Sequence, residues 1–205
     1  NKCLVDTFDR NFQFNVEHVS LAKLADIFLV APASADVIGK IANGIADDML
    51  TTTIMACKCP KLISPAMNTN MFTNPIVQDN LKKLEHYGYE IIQPDSGYLA
   101  CGDTGAGKMP SEQVLLNYIL RTIAKDKDMA GIKLTVTAGP TREKLDPVRF
   151  LSNNSTGKMG YAIAKMAMLR GADVTLISGK VSLEPVPFVK MVDIVSAEDM
   201  YNAVI

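Results

Sequence analysis

The chain has 205 residues, 48% of them hydrophobic and 21% charged, and its formal net charge is -1 at pH 7. This length provides enough apolar surface for one large domain or two modest domains. A net charge near zero, without a basic run, argues against nucleic acid or an anionic membrane surface as the main partner. No apolar stretch reaches the roughly 20 residues that a membrane-spanning helix requires.

The 4 cysteines show no spacing typical of a disulfide framework. They fit a reducing compartment, and we therefore expect a cytoplasmic protein. Cys57 and Cys59 lie close together, but no second pair of Cys or His follows at the spacing of a zinc site. We interpret both as small apolar residues and predict no metal centre.

The first part of the chain alternates short apolar strands with helical patterns. The predicted strands cover 26–31, 62–65 and 89–93, and the predicted helices cover 20–25, 36–43, 47–56 and 74–87. The last of these helices has the clearest ends, because Asn74 suits an N-cap, Pro75 the first helical position and Gly88 the position past the end. The alternation predicts a parallel sheet.

Polar residues follow the first two predicted strands. Ser34 and Ala35 come after the first strand, and Met67 and Asn68 come after the second. In open α/β sheets, ligands bind at the carboxyl ends of strands, where helix N-termini present free N–H groups. The side-chain amide of Asn68 offers donors and an acceptor without a charge, which suits a substrate carboxylate. Asn is equally typical of a simple turn.

Two further residues are candidates for acid–base chemistry. His18 follows Glu17 just ahead of the first helical segment, where a lone His is more often structural than catalytic. Cys101 lies in a glycine-rich segment, which we expect to be a mobile flap that closes over a small substrate and delivers a proton. The alternative for Cys101 is an inert, buried thiol in an ordinary turn.

A second unit is predicted after a helix at 111–124 and a charged linker. Its elements are a strand at 132–137, a polar loop at 139–156, a helix at 157–169, a strand at 173–178 and a helix from about 197. This βαβ pattern predicts nucleotide binding, with Arg142, Arg149 and Lys158 near phosphate oxygens. Neither a Walker A loop nor a G-x-G-x-x-G run occurs. The second strand ends without an acidic residue, which argues against NAD.

Several motifs occur together in the order and spacing of a known family. They are Glu17-His18, PASA at 32–35, PAMN at 65–68, Ala100-Cys101-Gly102, TAGPTRE at 137–143, DPVRFLSN at 146–153 and STGKMG at 155–160. The first four resemble the flavin-dependent cysteine decarboxylases. The whole chain resembles the bifunctional coenzyme A biosynthesis proteins, which join a phosphopantothenoylcysteine decarboxylase to a phosphopantothenate-cysteine ligase.

The resemblance implies the fold and the domain organisation. It implies a Rossmann-like, flavodoxin-type parallel sheet in a decarboxylase domain at 1–124, a linker at 125–131, and the first half of a second Rossmann-like α/β domain, the ligase domain, at 132–205. The chain begins without an initiator Met and stops inside a helical pattern, so we expect a fragment that lacks both ends of a longer protein. A homo-oligomer is expected, with trimeric contacts in the decarboxylase domain and dimeric contacts in the ligase domain.

The resemblance also implies two activities. One is the FMN-dependent decarboxylation of phosphopantothenoylcysteine to phosphopantetheine. The other is the ligation of phosphopantothenate with cysteine, which uses CTP and Mg²⁺ and passes through an acyl-cytidylate. The expected partners are these small molecules and further copies of the chain, with neither nucleic acid nor a membrane among them.

Site residues are implied position by position. Asn68 would bind the substrate carboxylate, His18 would act as acid or base, and Cys101 would donate a proton. Asn153 would assist at the acyl-cytidylate stage, although without the resemblance it would be interpreted as a loop residue. The binding residues would be Ser34, Ala35 and Met67 for FMN, Gly139, Thr141, Arg142 and Lys158 for the CTP phosphates, and Lys108, Met109 and Arg149, together with Asn68, for substrate.

Two other functions compete with this interpretation. A peptidyl-cysteine decarboxylase of the flavoprotein type would share the first unit, but it is not expected to carry the second. A non-catalytic flavin- or nucleotide-binding module would be expected to lack the Cys, His or Asn, and this chain has all three.

Overall fold

The structure is a computed structural model that describes residues 17–98 and 104–205. The chain divides into two compact units between Tyr118 and Ile119. Each unit contains a parallel β-sheet and α-helices, which confirms the predicted α/β class. In the part of the chain that is described, no helix has the length and apolar character needed to cross a bilayer.

Unit 1 is built on a parallel sheet of three strands in the order β1-β2-β3. Its strands are β1 (Phe28–Ala33), β2 (Lys61–Pro65) and β3 (Glu90–Ile91). An antiparallel hairpin follows, formed by β4 (Asp95–Tyr98) and β5 (Thr104–Lys108). The helices are α1 (Glu17–Leu24), α2 (Ala35–Ala42), α3 (Met49–Ala56), α4 (Thr69–Phe72), α5 (Pro75–His86) and α6 (Glu112–Ile123), the last of which ends beyond the division between the units.

The core of unit 1 lies between the sheet and helices α2 and α5. Ile63 of β2 is buried together with Ile38 of α2 and Leu84 of α5. The apolar residues of each helix recur every three or four positions, so that they share the face that packs on the sheet. Burial of a side chain of this size stabilises the fold by about 1.5–3 kcal/mol. The packing fixes the sheet edge from which the loops after β1 and β2 emerge.

Side-chain caps determine where several helices begin. Ser34, Asp48 and Asn74 cap α2, α3 and α5, each through a side-chain oxygen that accepts a backbone N–H. The predicted helix at 74–87 is confirmed as α5, with Pro75 in its first turn and Tyr87 as its C-cap. Polar residues of this kind at N-cap positions are worth about 1 kcal/mol each relative to Ala.

Unit 2 contains a second parallel sheet, in the order β10-β9-β6. Its strands are β6 (Lys133–Ala138), β9 (Asp173–Ser178) and β10 (Lys190–Asp193), and an antiparallel hairpin is formed by β7 (Arg142–Lys144) and β8 (Phe150–Ser152). Its further helices are α7 (Lys158–Leu169) and α8 (Ala197–Val204). α7 packs on β6 and β9, where Ala164 and Leu176 are fully buried.

Residues of the predicted linker bond to α7 within unit 2. The Lys127 ammonium donates to the carbonyl of Leu169 at 2.7 Å, and Arg170 Nε donates to Asp128 at 2.8 Å. The backbone N–H of Met129 donates to the carbonyl of Arg170 at 3.0 Å. The bonds from Lys127 and Met129 satisfy carbonyls at the end of α7, which have no donor inside the helix. The domain bounds at 124 and 132 stay a prediction.

Several element boundaries differ from the sequence prediction, those of the first helix and the first strand among them. The first helix includes Glu17 and His18 rather than starting at Ser20, since an acidic residue in the first turn is favoured by the helix dipole. The first strand runs from Phe28 to Ala33 rather than over 26–31, because it continues until Ser34 takes over as the cap of α2.

The prediction of irregular loops is wrong in two places. Residues 104–108 of the glycine-rich segment form β5, and the polar loop at 139–156 contains the hairpin of β7 and β8. Small and polar residues make up most of β4, β5 and β7, and β8 has 3 residues, so these strands lack the apolar alternation that predicts strands. The strand β10 and the helix α4 have 4 residues each, too few for a periodic signal. Residues 99–103 lie outside the described residues.

Candidate functional site

The carboxyl ends of β1 and β2 lie side by side in unit 1. Ala33 pairs in register with Pro65, and the backbone N–H of Ala66 donates to the carbonyl of Ala33 at 3.0 Å. This bond joins the loop after β2 to the residue that precedes Ser34. Ser34 and Asn68 therefore follow strands that end at the same edge of the sheet.

Ser34 caps the start of α2 and leaves hydrogen-bond donors available there. Its hydroxyl oxygen accepts the backbone N–H of Val37 at 3.3 Å. A hydroxyl group that accepts in this way retains its own hydrogen for donation. Ala35 occupies the first helical position, where the backbone N–H has no acceptor inside the helix. The start of α2 can therefore bind an acceptor atom of a ligand.

Asn68 is held in place as the cap of the short helix α4. Its side-chain oxygen accepts the backbone N–H of Asn70 at 2.8 Å. The oxygen is thus fixed by the cap, and the Nδ2 group is the side of the amide that donates. Met67 precedes it and is half-buried against the core of unit 1.

The strand β5 lies directly on the loop after β2. The backbone N–H of Met67 donates to the carbonyl of Gly107 at 3.0 Å. Gly107 has a φ of +126°, and a Cβ at this position would lie 2.2 Å from the carbonyl oxygen of Met67. A Cβ at Gly105 would lie 2.4 Å from Thr69 Oγ1. Glycine leaves room for the close approach at both positions, which at Gly107 is between two backbone segments and at Gly105 is to the Thr69 side chain.

This contact also places two of the predicted substrate residues. Lys108 is the last residue of β5 and is exposed, and Met109 follows it and is half-buried. Both therefore come directly after the segment that contacts the loop carrying Asn68. Cys101 lies between β4 and β5 in the chain but outside the described residues, so its proposed role stays a prediction.

His18 lies on a separate element, α1, which packs against α3. The side chain is half-buried, and among the described residues its Nδ1 atom is buried without a hydrogen-bond partner. A buried polar atom without a partner costs about 1–3 kcal/mol. That cost favours a further partner for the imidazole. The described contacts bring the loops of Ser34 and Asn68 together, whereas His18 lies on a helix that packs against α3.

Unit 2 has a cavity of about 360 Å³ at the carboxyl end of β6. It is lined on its polar side by Thr137, Gly139, Ser155, Thr156, Gly157 and Lys158. Ile163 of α7 and Met200 of α8 contribute apolar surface. Two of the predicted phosphate-binding residues, Gly139 and Lys158, therefore share one cavity.

Glycines shape this cavity. Gly157 precedes α7 with a φ of +75° and caps the helix without a side-chain hydrogen bond. The first N–H groups of α7 consequently have no side-chain acceptor at the cap, and they lie where the helix dipole is positive. Gly179, which follows β9, lies close to the backbone of Pro140. A Cβ at Gly179 would lie 1.8 Å from the carbonyl oxygen of Pro140. An N-terminus of this form, with Lys158 at its first position, suits a phosphate group.

The other predicted residues of unit 2 belong to the hairpin of β7 and β8 or follow it. The Arg142 guanidinium lies over the ring of Phe150, 4.7 Å from its centroid. Arg149 Nε donates to Asp146 at 2.5 Å. The backbone N–H of Arg149 holds the pKa of Asp146 below its usual range, and the Arg149 side chain and the Val148 N–H lower this pKa further. Thr141 precedes β7, and its carbonyl accepts the hydroxyl of Ser152 at 2.8 Å.

Asn153 forms a turn beside the cavity. Its side-chain oxygen accepts the backbone N–H of Ser155 at 2.9 Å, and Ser155 lines the cavity. The hairpin is also attached to α8, since Glu143 accepts the backbone N–H of Ala197 at 2.9 Å. Arg142, Arg149 and Asn153 do not appear among the residues that line the cavity itself.

Sequence reasoning assigned no role to Gly179, Met200 or Thr69. The sequence does contain an indication of Gly179, because this glycine directly follows β9 as Gly139 directly follows β6. Met200 reaches the cavity only because α8 packs beside β9. Thr69 contacts β5 across a gap in sequence that no local pattern reveals.

The two units define an α/β protein in which side-chain caps follow the strand ends of unit 1, and glycines and a lysine line the cavity of unit 2. A family model described as Flavoprotein matches residues 1–124. A second model, described as DNA/pantothenate metabolism flavoprotein C-terminal domain, matches residues 129–205. The chain belongs to the flavoprotein family.

Curated relatives cover both units. The Coenzyme A biosynthesis bifunctional protein CoaBC of Bacillus subtilis is 46% identical over 203 residues, which are 98% of this chain and 50% of the relative. The protein of the same name from Escherichia coli is 46% identical over 187 residues, which are 91% of this chain and 46% of the relative. The chain spans about half the length of the curated relatives it matches.

Two solved structures are similar to unit 1. A mutant of PPC decarboxylase complexed with pantothenoylaminoethenethiol is 35% identical with a TM-score of 0.51, and the match covers 55% of this chain and 63% of that one. The FMN binding protein AtHal3 is 34% identical with a TM-score of 0.50, and the match covers 58% of this chain and 65% of that one. The likeness supports the flavoprotein type of α/β fold.

Proposed function

We propose that the protein catalyses two steps of coenzyme A biosynthesis. Unit 1 would decarboxylate phosphopantothenoylcysteine with the help of FMN, and unit 2 would form part of a CTP-dependent ligase that joins phosphopantothenate to cysteine. The observation that carries the proposal is the junction of the Ser34 and Asn68 loops, with β5 lying on the second loop. The names of the relatives support both activities.

The start of α2 and the loop after β2 would hold FMN. The Ser34 hydroxyl hydrogen and the Ala35 N–H match acceptor atoms of a flavin, and half-buried Met67 offers apolar contact. FMN would supply the redox chemistry of the reaction.

Three side chains of unit 1 would act on the substrate. The Nδ2 group of Asn68 would donate to the departing carboxylate, and His18 would accept or deliver a proton near the thiol. Cys101 would protonate the enethiol product, since a thiol with an ordinary pKa of about 8.5 is mostly protonated near neutrality yet able to give up its proton. Lys108 and Met109 would contact the rest of the substrate.

The substitution Asn68→Asp tests the decarboxylase proposal in the intact protein. Asp caps a helix as well as Asn does, so the bond to Asn70 and the local fold are expected to persist. The added negative charge would repel the substrate carboxylate, and we expect the rate of CO₂ release to fall at least 100-fold with little change in the melting temperature. Wild-type protein that binds flavin but releases no CO₂ from the substrate would contradict the proposal.

The cavity of unit 2 would bind the CTP phosphates. Gly139, Thr141, Arg142 and Lys158 would contact the triphosphate, Arg149 would meet substrate, and Asn153 would hydrogen bond to the activated carbonyl. Mg²⁺ would bind with the nucleotide, because phosphate oxygens are its preferred ligands. Titration of the intact protein with CTP and Mg²⁺ in a calorimeter is expected to show saturable binding that ATP reproduces only weakly. Equal binding of both nucleotides would remove the support for CTP.

We also propose that the protein is a cytoplasmic homo-oligomer, with trimeric contacts through unit 1 and dimeric contacts through unit 2. The hairpin of unit 2 supports the second contact, because Leu145, Val148 and Leu151 are between 60% and 85% exposed. Light scattering of Val148→Asp is expected to show a smaller assembly than wild type. An unchanged mass would contradict a dimer through this hairpin.

A further inference from the structure

The contact between β5 and the loop after β2 involves two glycines and two opposing residues. We name the approach of Gly105 and Gly107 to Met67 and Thr69 the hairpin contact. At Gly107 the approach is made by backbone alone, through the bond from Met67 N–H. At Gly105 the opposing group is a side chain, that of Thr69. The two halves of the contact can therefore be varied separately.

Thr69 contributes shape rather than a hydrogen bond. In the described part of the chain its hydroxyl oxygen is buried and has no hydrogen-bond partner. The position of a Cβ on Gly105 would lie 2.4 Å from Thr69 Oγ1 and 3.0 Å from its Cγ2, whereas the Thr69 Cβ is 3.2 Å away. The branched end of the Thr69 side chain thus fills the space that a larger residue at 105 would need.

We propose that Thr69 is a positioning residue that aligns the hairpin of β4 and β5 with Asn68 through its contact with Gly105. The inference rests on the proposed decarboxylase function, because it concerns the alignment of residues that would act on the same substrate. Thr69 directly follows Asn68 in the chain. One short segment would therefore both carry the amide that binds the carboxylate and determine the distance of β5 from that amide.

The expected size of the effect follows from the geometry. A methyl group at Gly105 would be about 1 Å too close to Thr69 Oγ1, since ordinary contact begins at 3.4 Å. If the Thr69 side chain keeps its rotamer, relief of this overlap requires β5 to move away from Asn68 by a comparable distance. A misplacement of about 1 Å in an active site can lower the rate on the order of 100-fold.

The test compares Gly105→Ala, Thr69→Ala and the double variant in the intact protein. Gly97→Ala is the matched control, because Gly97 lies on β4 of the same hairpin and a Cβ there would meet the Lys108 side chain at an ordinary 3.6 Å. Thr69→Val is the conservative variant, since it preserves the branched shape and removes only an unpaired hydroxyl.

Hydrogen exchange of the Met67 amide provides a readout that does not depend on activity. This N–H donates to Gly107, so its protection reports whether β5 remains on the loop. Gly105→Ala is expected to lower the protection of the Met67 amide at least tenfold. Addition of Thr69→Ala to the same chain is expected to raise that lowered protection at least fivefold. Gly97→Ala and Thr69→Val are expected to keep the protection within twofold of wild type.

The rate of CO₂ release is measured on the same variants. We expect kcat to fall 10-fold to 100-fold in Gly105→Ala and to recover in the double variant, with a smaller change in KM. If Gly105→Ala does not fold, Thr69→Ala alone tests the proposal. We expect it to lower both the protection of the Met67 amide and kcat threefold. Protection in Gly105→Ala equal to that in Gly97→Ala, or a double variant without recovery, would overturn the proposal.

The two proposals fail in different ways. Wild-type protein without decarboxylase activity but with the expected pattern of Met67 protection would refute the proposed function and leave the hairpin contact supported. Activity that falls in Gly105→Ala while Met67 remains fully protected would refute the positioning role of Thr69 and leave the decarboxylase function intact.

Discussion

The proposed ligand sites of the two units lie at sheet edges formed by the carboxyl ends of parallel strands, but the two units build those edges differently. In unit 1, side chains occupy the helix starts, with Ser34 capping α2 and Asn68 capping α4. In unit 2, Gly157 begins α7 without a side-chain cap, and Gly139 and Gly179 allow the surrounding loops to approach closely. One edge offers oriented side-chain groups, and the other offers backbone N–H groups.

The difference matches two kinds of ligand chemistry. A carboxylate that must leave as CO₂ is best held by an oriented neutral amide, which does not stabilise the starting charge as strongly as a cation would. A triphosphate keeps its charge, so exposed N–H groups and a lysine suit it throughout. The comparison predicts that backbone changes will damage unit 2 most and that side-chain changes will damage unit 1.

Among the effects that test this comparison, the largest is expected at Gly139, with Gly131 as its matched control. Both have φ near +80°, but a Cβ at Gly139 would lie 2.9 Å from the carbonyl oxygen of Gly179, whereas a Cβ at Gly131 would meet nothing within 4 Å. Positive φ alone costs an Ala about 1–2 kcal/mol, and overpacking adds about 1–3 kcal/mol. Urea unfolding should show the larger loss for Gly139→Ala, and CTP affinity should fall at least tenfold in that variant alone. Equal losses would mean that close approach plays no part.

The lysine of unit 2 is expected to act on ligand affinity rather than on stability. Lys158 is exposed and lines the cavity, whereas Lys165 is exposed on the same helix and does not line it. Removal of one charged hydrogen bond to a phosphate corresponds to about 1.5–3 kcal/mol. Calorimetric titration with CTP should therefore show at least a tenfold weaker affinity for Lys158→Met and a change within twofold for Lys165→Met. Similar effects of both variants would indicate general attraction instead of a defined contact.

A smaller effect is expected at Ser34 in unit 1. The substitution Ser34→Ala removes the acceptor for the Val37 N–H, which should lower the free energy of unfolding by about 1 kcal/mol. Ser34→Gly should be less harmful, because Gly is tolerated at N-caps at a cost of a few tenths of a kcal/mol. Both variants should retain less flavin than wild type if the hydroxyl contacts it. Full flavin retention by Ser34→Ala would remove Ser34 from the proposed FMN site.

The sequence predicts those parts of the fold whose causes are local. Asn74, Pro75 and Gly88 define α5, because caps and helix-breaking residues act within one turn. The sheet edge that holds the proposed site of unit 1 is predictable, because the carboxyl ends of parallel strands lie at the same edge of a sheet. Lys158 is predictable as a phosphate ligand because it begins a helix after a polar loop, whereas Gly139 is implied by the family resemblance.

The remaining features depend on contacts between distant parts of the chain. Gly105 and Gly107 suggest a loop when considered alone, yet they form a strand because Met67 and Thr69 lie against them. The cavity wall at Met200 exists only after α8 has packed in unit 2. Local propensity does not contain such information, since tertiary contacts override it in short elements.

The smallest effect concerns the pH dependence of a helix cap in unit 1. Asp48 caps α3, and the backbone N–H of Thr51, 2.7 Å away, lowers the pKa of its carboxyl group; Lys40 lowers it further. Because the folded pKa lies below the unfolded one, Asp48 stabilises the fold above the unfolded pKa, and this contribution is lost as the pH falls through the folded value.

Asp48→Asn keeps a cap acceptor and removes the titration. Its melting temperature should lie slightly below that of wild type at pH 7, and the difference should shrink to nothing in acid below the folded pKa of Asp48. Asp79→Asn is the control, because the exposed pair of Asp79 with Lys82 is expected to add little stability. If the difference in melting temperature between wild type and Asp48→Asn does not change as the pH is lowered, the charge of Asp48 does not stabilise α3. The helix start at Gly157 has no ionisable cap, so the same acid titration should leave the cap of α7 unaffected.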